Sequence, residues 1–380
     1  MTQRDSFDFG IVGAGIAGAS VAFELAATHR VLVLERESHV GYHATGRSAA
    51  LFTETYGNAI IRGLACASRP FLAAPPPGFA QYPLLTPRGL MLIASDQQLQ
   101  HVEDDMALIA PRVASARVID ADAARALVPV LRPSYVRAAI HEPDAMDIDV
   151  HGLHDGFLRG ARSRGAVIET DAEVVAIARE RSGWTLRTRE RTFGVAILID
   201  AAGAWGDIVA GLAGIEPIGL SPLRRTVVTF APGHGVDVSR WPAVIDIGET
   251  FYFKPDAGRI LASPADQTPS PPCDAQPEEI DIAVAMDRIG HAADLSARHI
   301  ERSWAGLRTF ARDRTPVVGF DTNDPAFFWL VGQGGYGIKT SPALGRVAAS
   351  LARGGPMPHD VVAQGISAEA LAPARLRNVT

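Results

Sequence analysis

Over its first forty residues the chain sorts apolar and polar positions into two strands around a helix. Phe7-Asp-Phe-Gly-Ile-Val12 is a short apolar run, Val21, Ala22 and Leu25 recur at helical spacing, and Val31-Leu-Val-Leu34 is a second apolar run closed by Glu35. The helix is expected over 16–28. Further apolar runs predict strands at 90–94, 166–169, 173–178, 184–188, 195–199, 224–230, 250–254 and 327–331. Helical spacing predicts helices at 97–109, 120–127, 150–164, 282–295 and 341–352. The polar stretch 41–50 is expected to become helical, capped by Thr45 or Ser48. Prolines cluster over 70–87, read as a crossing between lobes, and over 264–277, read as loop.

Apolar strands that run directly into glycine turns recur at the beginning, middle and end of the chain, after Val12, Ile199 and Val331. Such strands belong to a parallel sheet covered on both faces. The expected fold class is therefore α/β, with a discontinuous Rossmann-type lobe from 1–85, 146–220 and 310–380. An α+β lobe with an antiparallel sheet is expected from 86–145 and 221–309.

Composition narrows the function classes. At 380 residues and 47% hydrophobic content the chain can bury a large core, and a formal charge of -6 gives no basic field for nucleic acid. No integral membrane segment is expected, since no apolar run reaches spanning length, and the first residues lack the apolar core of a signal peptide. Cys66 and Cys273 are far apart with no ligand spacing, so no metal site is expected. A cytoplasmic protein follows, with attachment to the surface of the inner membrane as the alternative.

The glycine turn carries the first chemistry. Gly13 permits the tight turn, Gly15 lets backbone approach a pyrophosphate, Gly18 lets the helix pack near the strand, and Glu35 is placed to accept from ribose hydroxyls. Both flanking strands and the spaced acid are present, which is the context a dinucleotide site requires.

Gly13-Ala-Gly-Ile-Ala-Gly18, Val31-Leu-Val-Leu-Glu-Arg36, Thr45-Gly-Arg-Ser48, Ala201-Ala-Gly-Ala-Trp205 and Gly332-Gln-Gly-Gly-Tyr-Gly-Ile-Lys-Thr-Ser-Pro342 together resemble the FAD-dependent amine oxidoreductases. This is the family of D-amino-acid oxidase, glycine oxidase and sarcosine oxidase, and the chain is most similar to its bacterial D-arginine dehydrogenases over nearly its whole length. The resemblance chooses FAD over NAD and implies roles by position. Gly13, Ala14, Gly15, Ile16, Ala17 and Gly18 would hold the pyrophosphate, Glu35 and Arg36 the adenosine, and the Val174 backbone the adenine. His43, Thr45, Gly46, Arg47, Ser48 and Ala49 would run along the flavin, with Arg47 suited to a phosphate. Ala202, Gly203 and Trp205 form the returning turn. Gly332, Gly334, Gly335, Tyr336, Gly337, Ile338 and Thr340, with the Lys339 side chain, would face the flavin's pyrimidine edge. The family's covalent variants carry cysteine just after the arginine that matches Arg308. Thr309 stands there, so the FAD is expected to be non-covalent.

By the same resemblance Arg225 and Arg308 would hold a substrate carboxylate, with Tyr56 and Tyr252 as hydroxyl donors. Alternation along a strand lets only one of Arg224 and Arg225 face the substrate, and turns Tyr252 away from Phe251 and Phe253. Leu51, Leu90, Ala243, Ile245, Gly335 and Lys339 are expected to line the side-chain pocket. Leu90 replaces the acid, and Leu51 the histidine, of the D-arginine dehydrogenases. Losing a charged hydrogen bond costs about 1.5–3 kcal/mol, so specificity should move from D-Arg toward apolar or aromatic side chains. The expected activity is oxidative deamination of such D-amino acids, by hydride transfer from the α-carbon to flavin N5, giving a 2-oxo acid and ammonia. The electron acceptor, oxygen or a quinone, stays open. Two alternatives stand beside it: oxidation of sarcosine or another N-methyl amino acid, suggested by Lys339, and a non-catalytic flavin-binding redox sensor.

Overall fold

Strands that are apolar at every position need cover on both faces, and Val31–Leu34 and Phe327–Val331 are buried throughout. In the computed structural model, which describes residues 6–295 and 297–377, Val167–Glu169, Val31–Leu34, Ser6–Val12, Thr192–Asp200 and Phe327–Val331 lie parallel in that order. Ala176–Glu180, Gly183–Arg187 and Val317–Phe320 add antiparallel strands to make eight. Helices Ile16–Leu25, Ala59–Ala73 and Gly337–Ala352 cover one face, where Val21, Leu64, Leu344 and Val347 pack with Ile11, Val33, Phe328 and Leu330.

A nine-stranded sheet forms the second layer system. Its long pair is Ser221–Phe230 against Ile300–Phe310, antiparallel, with a bulge between Thr229 and Phe230. The expected antiparallel sheet is found with one exception, since Ala243–Asp246 pairs parallel with Leu90–Ala94. A small sheet of Leu51–Phe52, Met146–Ile148 and Leu85–Pro87 stands apart from both.

Three departures from the sequence reading bear on the site. Residues 41–50 form turns and no helix, because the Gly46 N–H closes back onto the Gly41 carbonyl at 2.8 Å and Gly41 has φ +72°. Thr45 and Ser48 cap no helix of their own: the Thr45 hydroxyl accepts from Ile16 N–H at 3.0 Å, and Ser48 from Ala50 N–H at 3.2 Å. The last long helix begins at Gly337, four residues before the expected 341, so Lys339 belongs to its buried first turn. The strand Ile300–Phe310 and the helix Ala59–Ala73, capped by the Asn58 side chain on Ile61 N–H, were not predicted.

Candidate active site

Two adjoining cavities lie between the sheets' carboxyl-end turns and the long antiparallel pair. The larger, of about 300 Å³, is lined by Gly13, Gly15, Ile16 and Ala17 of the first turn, by Glu35, Arg36 and Val174, and by His43, Thr45, Arg47, Ser48 and Ala49. Ala202, Gly203 and Trp205 of the returning turn and Gly334, Gly335, Gly337 and Ile338 complete the expected set that reaches it.

Ala14, Gly18, Gly46, Gly332, Tyr336, Lys339 and Thr340 do not line it. Ala14 is buried and donates its N–H to Glu35 Oε2 at 2.9 Å. Gly18 lies so close to the first turn that a Cβ would sit 1.9 Å from the Gly13 carbonyl oxygen. Gly46 is spent on the turn to Gly41, Gly332 packs on Ala311 with φ +75°, and the Thr340 hydroxyl donates to the Tyr336 carbonyl at 2.9 Å. Tyr336 and Lys339 face the smaller cavity. Arg47, expected at a phosphate, instead donates to the Ala275 and Ala305 carbonyls and pairs with Asp274, although it still lines the cavity.

The lining suits a flavin adenine dinucleotide. Gly15, ahead of the first helix, brings no side-chain cap of its own, and although Thr45 takes the Ile16 N–H, Gly15 and Ala17 at this amino end still line the cavity where a phosphate could sit. Glu35 braces the turn, accepting from Ala14 and from Glu37 N–H at 3.0 Å, and still lines the cavity. The Thr309 hydroxyl is buried on the lining without a hydrogen-bond partner, a vacancy a polar ring edge would fill. The sixteen-residue helix Gly337–Ala352 likewise starts at the cavity with no side-chain cap.

The smaller cavity, about 110 Å³, shares Ser48, Ala49, Arg225, Tyr252, Arg308, Gly335 and Ile338 with the larger, so a molecule held there abuts one held in the first. The register explains why two arginines meet: Arg225 stands opposite Gly306, and Arg308 is two residues further along the same face. Arg224 points the other way and pairs with Glu278 and Asp281. Tyr252 turns to the cavities while Phe251 and Phe253 are in the core.

Arg308 has no carboxylate partner among the described residues. Burial pushes its pKa down, but Tyr252, Tyr56 and Tyr336 more than offset this, and the guanidinium stays firmly charged. Gly335 packs against it so closely that a Cβ would lie 2.7 Å from Cζ. Arg225 donates to the Asp266 carbonyl at 2.7 Å, and burial followed by the Arg308 charge lowers its pKa. Tyr56, whose pKa burial raises, donates to Glu249 Oε2 at 3.1 Å. Among the described residues no acid lines the smaller cavity. Leu51, Ala243 and Ile245 do line it, whereas Leu90 does not: it sits 1% exposed behind the wall, packed on Ala243 and Ala145. Its register opposite Ala243 sets it on the neighbouring strand of the same sheet, one strand away from the residue that lines the cavity.

Lys339 reaches this cavity rather than the larger one. It is 4% exposed, and its Nζ donates to the Thr53 carbonyl at 3.0 Å and the Tyr56 carbonyl at 2.8 Å. Burial lowers its pKa from 10.5 to about 7, with Glu142 acting in the other direction. An unfolded chain therefore binds more protons than the folded one between those values, and stability rises with pH across that window. Urea midpoints of the protein should climb from about pH 7 to about pH 10, and Lys339→Met should flatten that slope.

Sequence reasoning missed Glu142, Thr53 and Thr55, a buried cluster in which both hydroxyls donate to the carboxylate at 2.7–2.9 Å. It also missed Lys254, which lines the smaller cavity and pairs with Asp147 at 2.6 Å. The available signal was compositional: of the chain's 36 lysines and arginines, Lys254 and Lys339 are the only lysines.

A family model described as FAD dependent oxidoreductase (DAO) matches residues 8–351. Glycine oxidase of Geobacillus kaustophilus is 25% identical over 379 residues, covering 92% of this chain and 93% of that protein. The crystal structure of that enzyme superposes with a TM-score of 0.80 at 22% identity, covering 92% of this chain and 95% of that one. Iminodiacetate oxidase from Chelativorans sp. BNC1 gives 0.80 at 22%, covering 96% and 98%. L-alpha-glycerophosphate oxidase of Mycoplasma pneumoniae with FAD bound gives 0.82 at 19%, covering 92% and 95%.

Proposed function

The chain belongs to the DAO family of FAD-dependent oxidoreductases, and from that premise we propose that it oxidatively deaminates D-amino acids with apolar or aromatic side chains. Segments 1–85, 146–220 and 310–380 would carry the cofactor, and 86–145 and 221–309 the substrate. The observation that carries the reading is the pair Arg225 and Arg308 on one face of two neighbouring antiparallel strands, lining both cavities, with Arg308 lacking any carboxylate of its own among the described residues. A planar guanidinium fork is the group best matched to a carboxylate.

FAD supplies a two-electron acceptor in the larger cavity. The arginines would fix the α-carboxylate and so set which bond of the α-carbon faces that cavity, while Tyr56 and Tyr252 add hydroxyl donors at the same wall. Leu51, Ala243 and Ile245 offer the side chain an apolar surface, and the absence of an acid from the lining leaves a guanidinium or ammonium side chain unpaired. Thr309 provides no thiol beside Arg308, so we read the flavin as non-covalently held.

Anaerobic bleaching of the flavin against a panel of D- and L-amino acids tests this, with oxygen admitted afterwards to separate oxidase from dehydrogenase. D-Leu, D-Met and D-Phe should bleach at least tenfold faster per molar than D-Arg, as about 1.4 kcal/mol of lost pairing requires. D-Arg in the lead would overturn the side-chain assignment. Formaldehyde released from sarcosine would reassign the protein to N-methyl substrates.

A further inference from the structure

We propose that Lys339 is the catalytic residue that takes the proton from the substrate's α-ammonium, with Glu142 behind it as the positioning residue that sets its charge. The inference rests on the amine-oxidation reading above. An amine gives up electrons only as the free base, and most α-amino acids arrive as ammonium ions at neutral pH. Something in the site must receive that proton.

The placement of Lys339 suits the task. Lys339 lines the smaller cavity, and two of the tetrahedral positions on its Nζ are fixed as donors to the Thr53 and Tyr56 carbonyls. A neutral amine so held has its lone pair as the third position in that fan. The proton moves from the substrate nitrogen to Nζ: the substrate N–H bond breaks, its electron pair stays on the substrate nitrogen, and a new Nζ–H bond forms. No oxidant is involved in that transfer.

The surroundings allow both charge states. Glu142, on the neighbouring strand Ala138–Glu142, is buried and bound by the Thr53 and Thr55 hydroxyls, and Thr53 also offers the carbonyl that holds Nζ. Glu54, and Cys66 once it is a thiolate, favour the ammonium, while Arg62 disfavours it. Tyr56 and Tyr336 present ring faces at 5.6 and 5.5 Å, which also favour a cation. Arg225, Arg308 and Lys254 share the cavity lining and repel it. Burial then brings the amine's titration to about 7, where it exchanges protons at neutral pH.

Composition points the same way. The chain uses arginine at every other Lys/Arg position, many of them in ion pairs with Asp or Glu, and retains lysine only at two positions that both line this cavity. Arginine cannot release its proton at any pH a protein survives, and lysine can. Lys254 is committed to Asp147, so the uncommitted amine is Lys339.

Two lysines make the test direct. Holoenzyme labelled with carbon-13 at lysine Cε should give two side-chain signals, and the one missing in Lys339→Gln should titrate near pH 7. Glu142→Gln removes a negative charge beside it, so that titration should move to lower pH. In anaerobic reduction, kcat/KM of the wild type should rise through about pH 7 and level off. Lys339→Gln should lose about 100-fold at neutral pH, as general-base removal does, and keep rising to about pH 10 where the substrate amine titrates itself. Lys339→Arg keeps the charge and should show the same loss. A lysine signal still charged at about pH 10, or a uniform loss in Lys339→Gln with the wild-type profile retained, overturns the proposal. Flavin bleached by no amino acid at all would sink the functional reading, and this inference with it.

Discussion

Arg308→Met should lower kcat/KM on the best amino-acid substrate by roughly 30- to 4,000-fold while leaving the free protein as stable as before or more so. Removing one partner of a buried, hydrogen-bonded charge pair costs about 2–5 kcal/mol, and each 1.4 kcal/mol is tenfold. On the proposed reading the partner would be the substrate's carboxylate, since no Asp or Glu among the described residues pairs with this guanidinium. The free protein thus carries a half-buried cation with no acid paired to it, and methionine fills similar volume without that charge. Most core arginine substitutions would show the opposite stability effect, since they strand an acid. A rise in KM with an unchanged or higher urea midpoint is the signature. A large fall in stability with KM unchanged would make Arg308 a structural cation and remove it from the substrate.

How much of this was legible in the sequence depended on whether burial followed a short period. The first turn did: Ile11, Val33 and Leu25 are core residues because their spacing says so, and Glu35 lies on the cavity beside Gly13 and Gly15. The choice between Arg224 and Arg225 was likewise a matter of alternation, and the outward one found Glu278 and Asp281. The strand that carries Arg308 was not legible, since its first four residues, Ile300 to Ser303, are largely polar and solvent-facing; its burial alternates only from Ala305 onward. Only the resemblance pointed to that arginine.

Tertiary contacts decided the rest. Leu90 matches a pocket position along the chain, yet the parallel pairing with Ala243–Asp246 sets it on the next strand, where it packs on Ala243 and does not line the smaller cavity. Arg47 sits beside the cofactor cavity, but the carbonyls of Ala275 and Ala305, more than two hundred residues away, claim its guanidinium. A helix started at 341 leaves Lys339 in the loop ahead of it, with only the resemblance to place it at the pocket. Starting it at Gly337 turns the side chain onto Thr53 and Tyr56, and the same lysine becomes a buried, titratable amine. One misplaced helical turn separates those two descriptions.

Gly18→Ala should cost the protein its FAD and about 1–3 kcal/mol of stability, although it replaces the poorest helix former but proline with the best. Helix propensity alone predicts a gain of up to about 1 kcal/mol. Against it stands the 1.9 Å between a Cβ at this position and the Gly13 carbonyl oxygen, far inside contact, with the Ile11 side chain at 3.2 Å beyond. Neither neighbour can yield cheaply. Gly13 is held at φ +103°, donates its N–H to the Leu34 carbonyl at 2.8 Å and packs against the Ala201 backbone, while Ile11 is fully buried in the sheet. The helix must therefore move outward, taking with it the Gly15, Ile16 and Ala17 backbone that lines the larger cavity. Thr45 would lose Ile16 N–H, and Glu35 would lose its brace on Ala14. Purified Gly18→Ala should show a flavin-to-protein absorbance ratio at least tenfold below wild type and a lower urea midpoint. Full flavin occupancy with unchanged stability would mean that the close approach of this helix to its strand is not what holds the turn open for the dinucleotide.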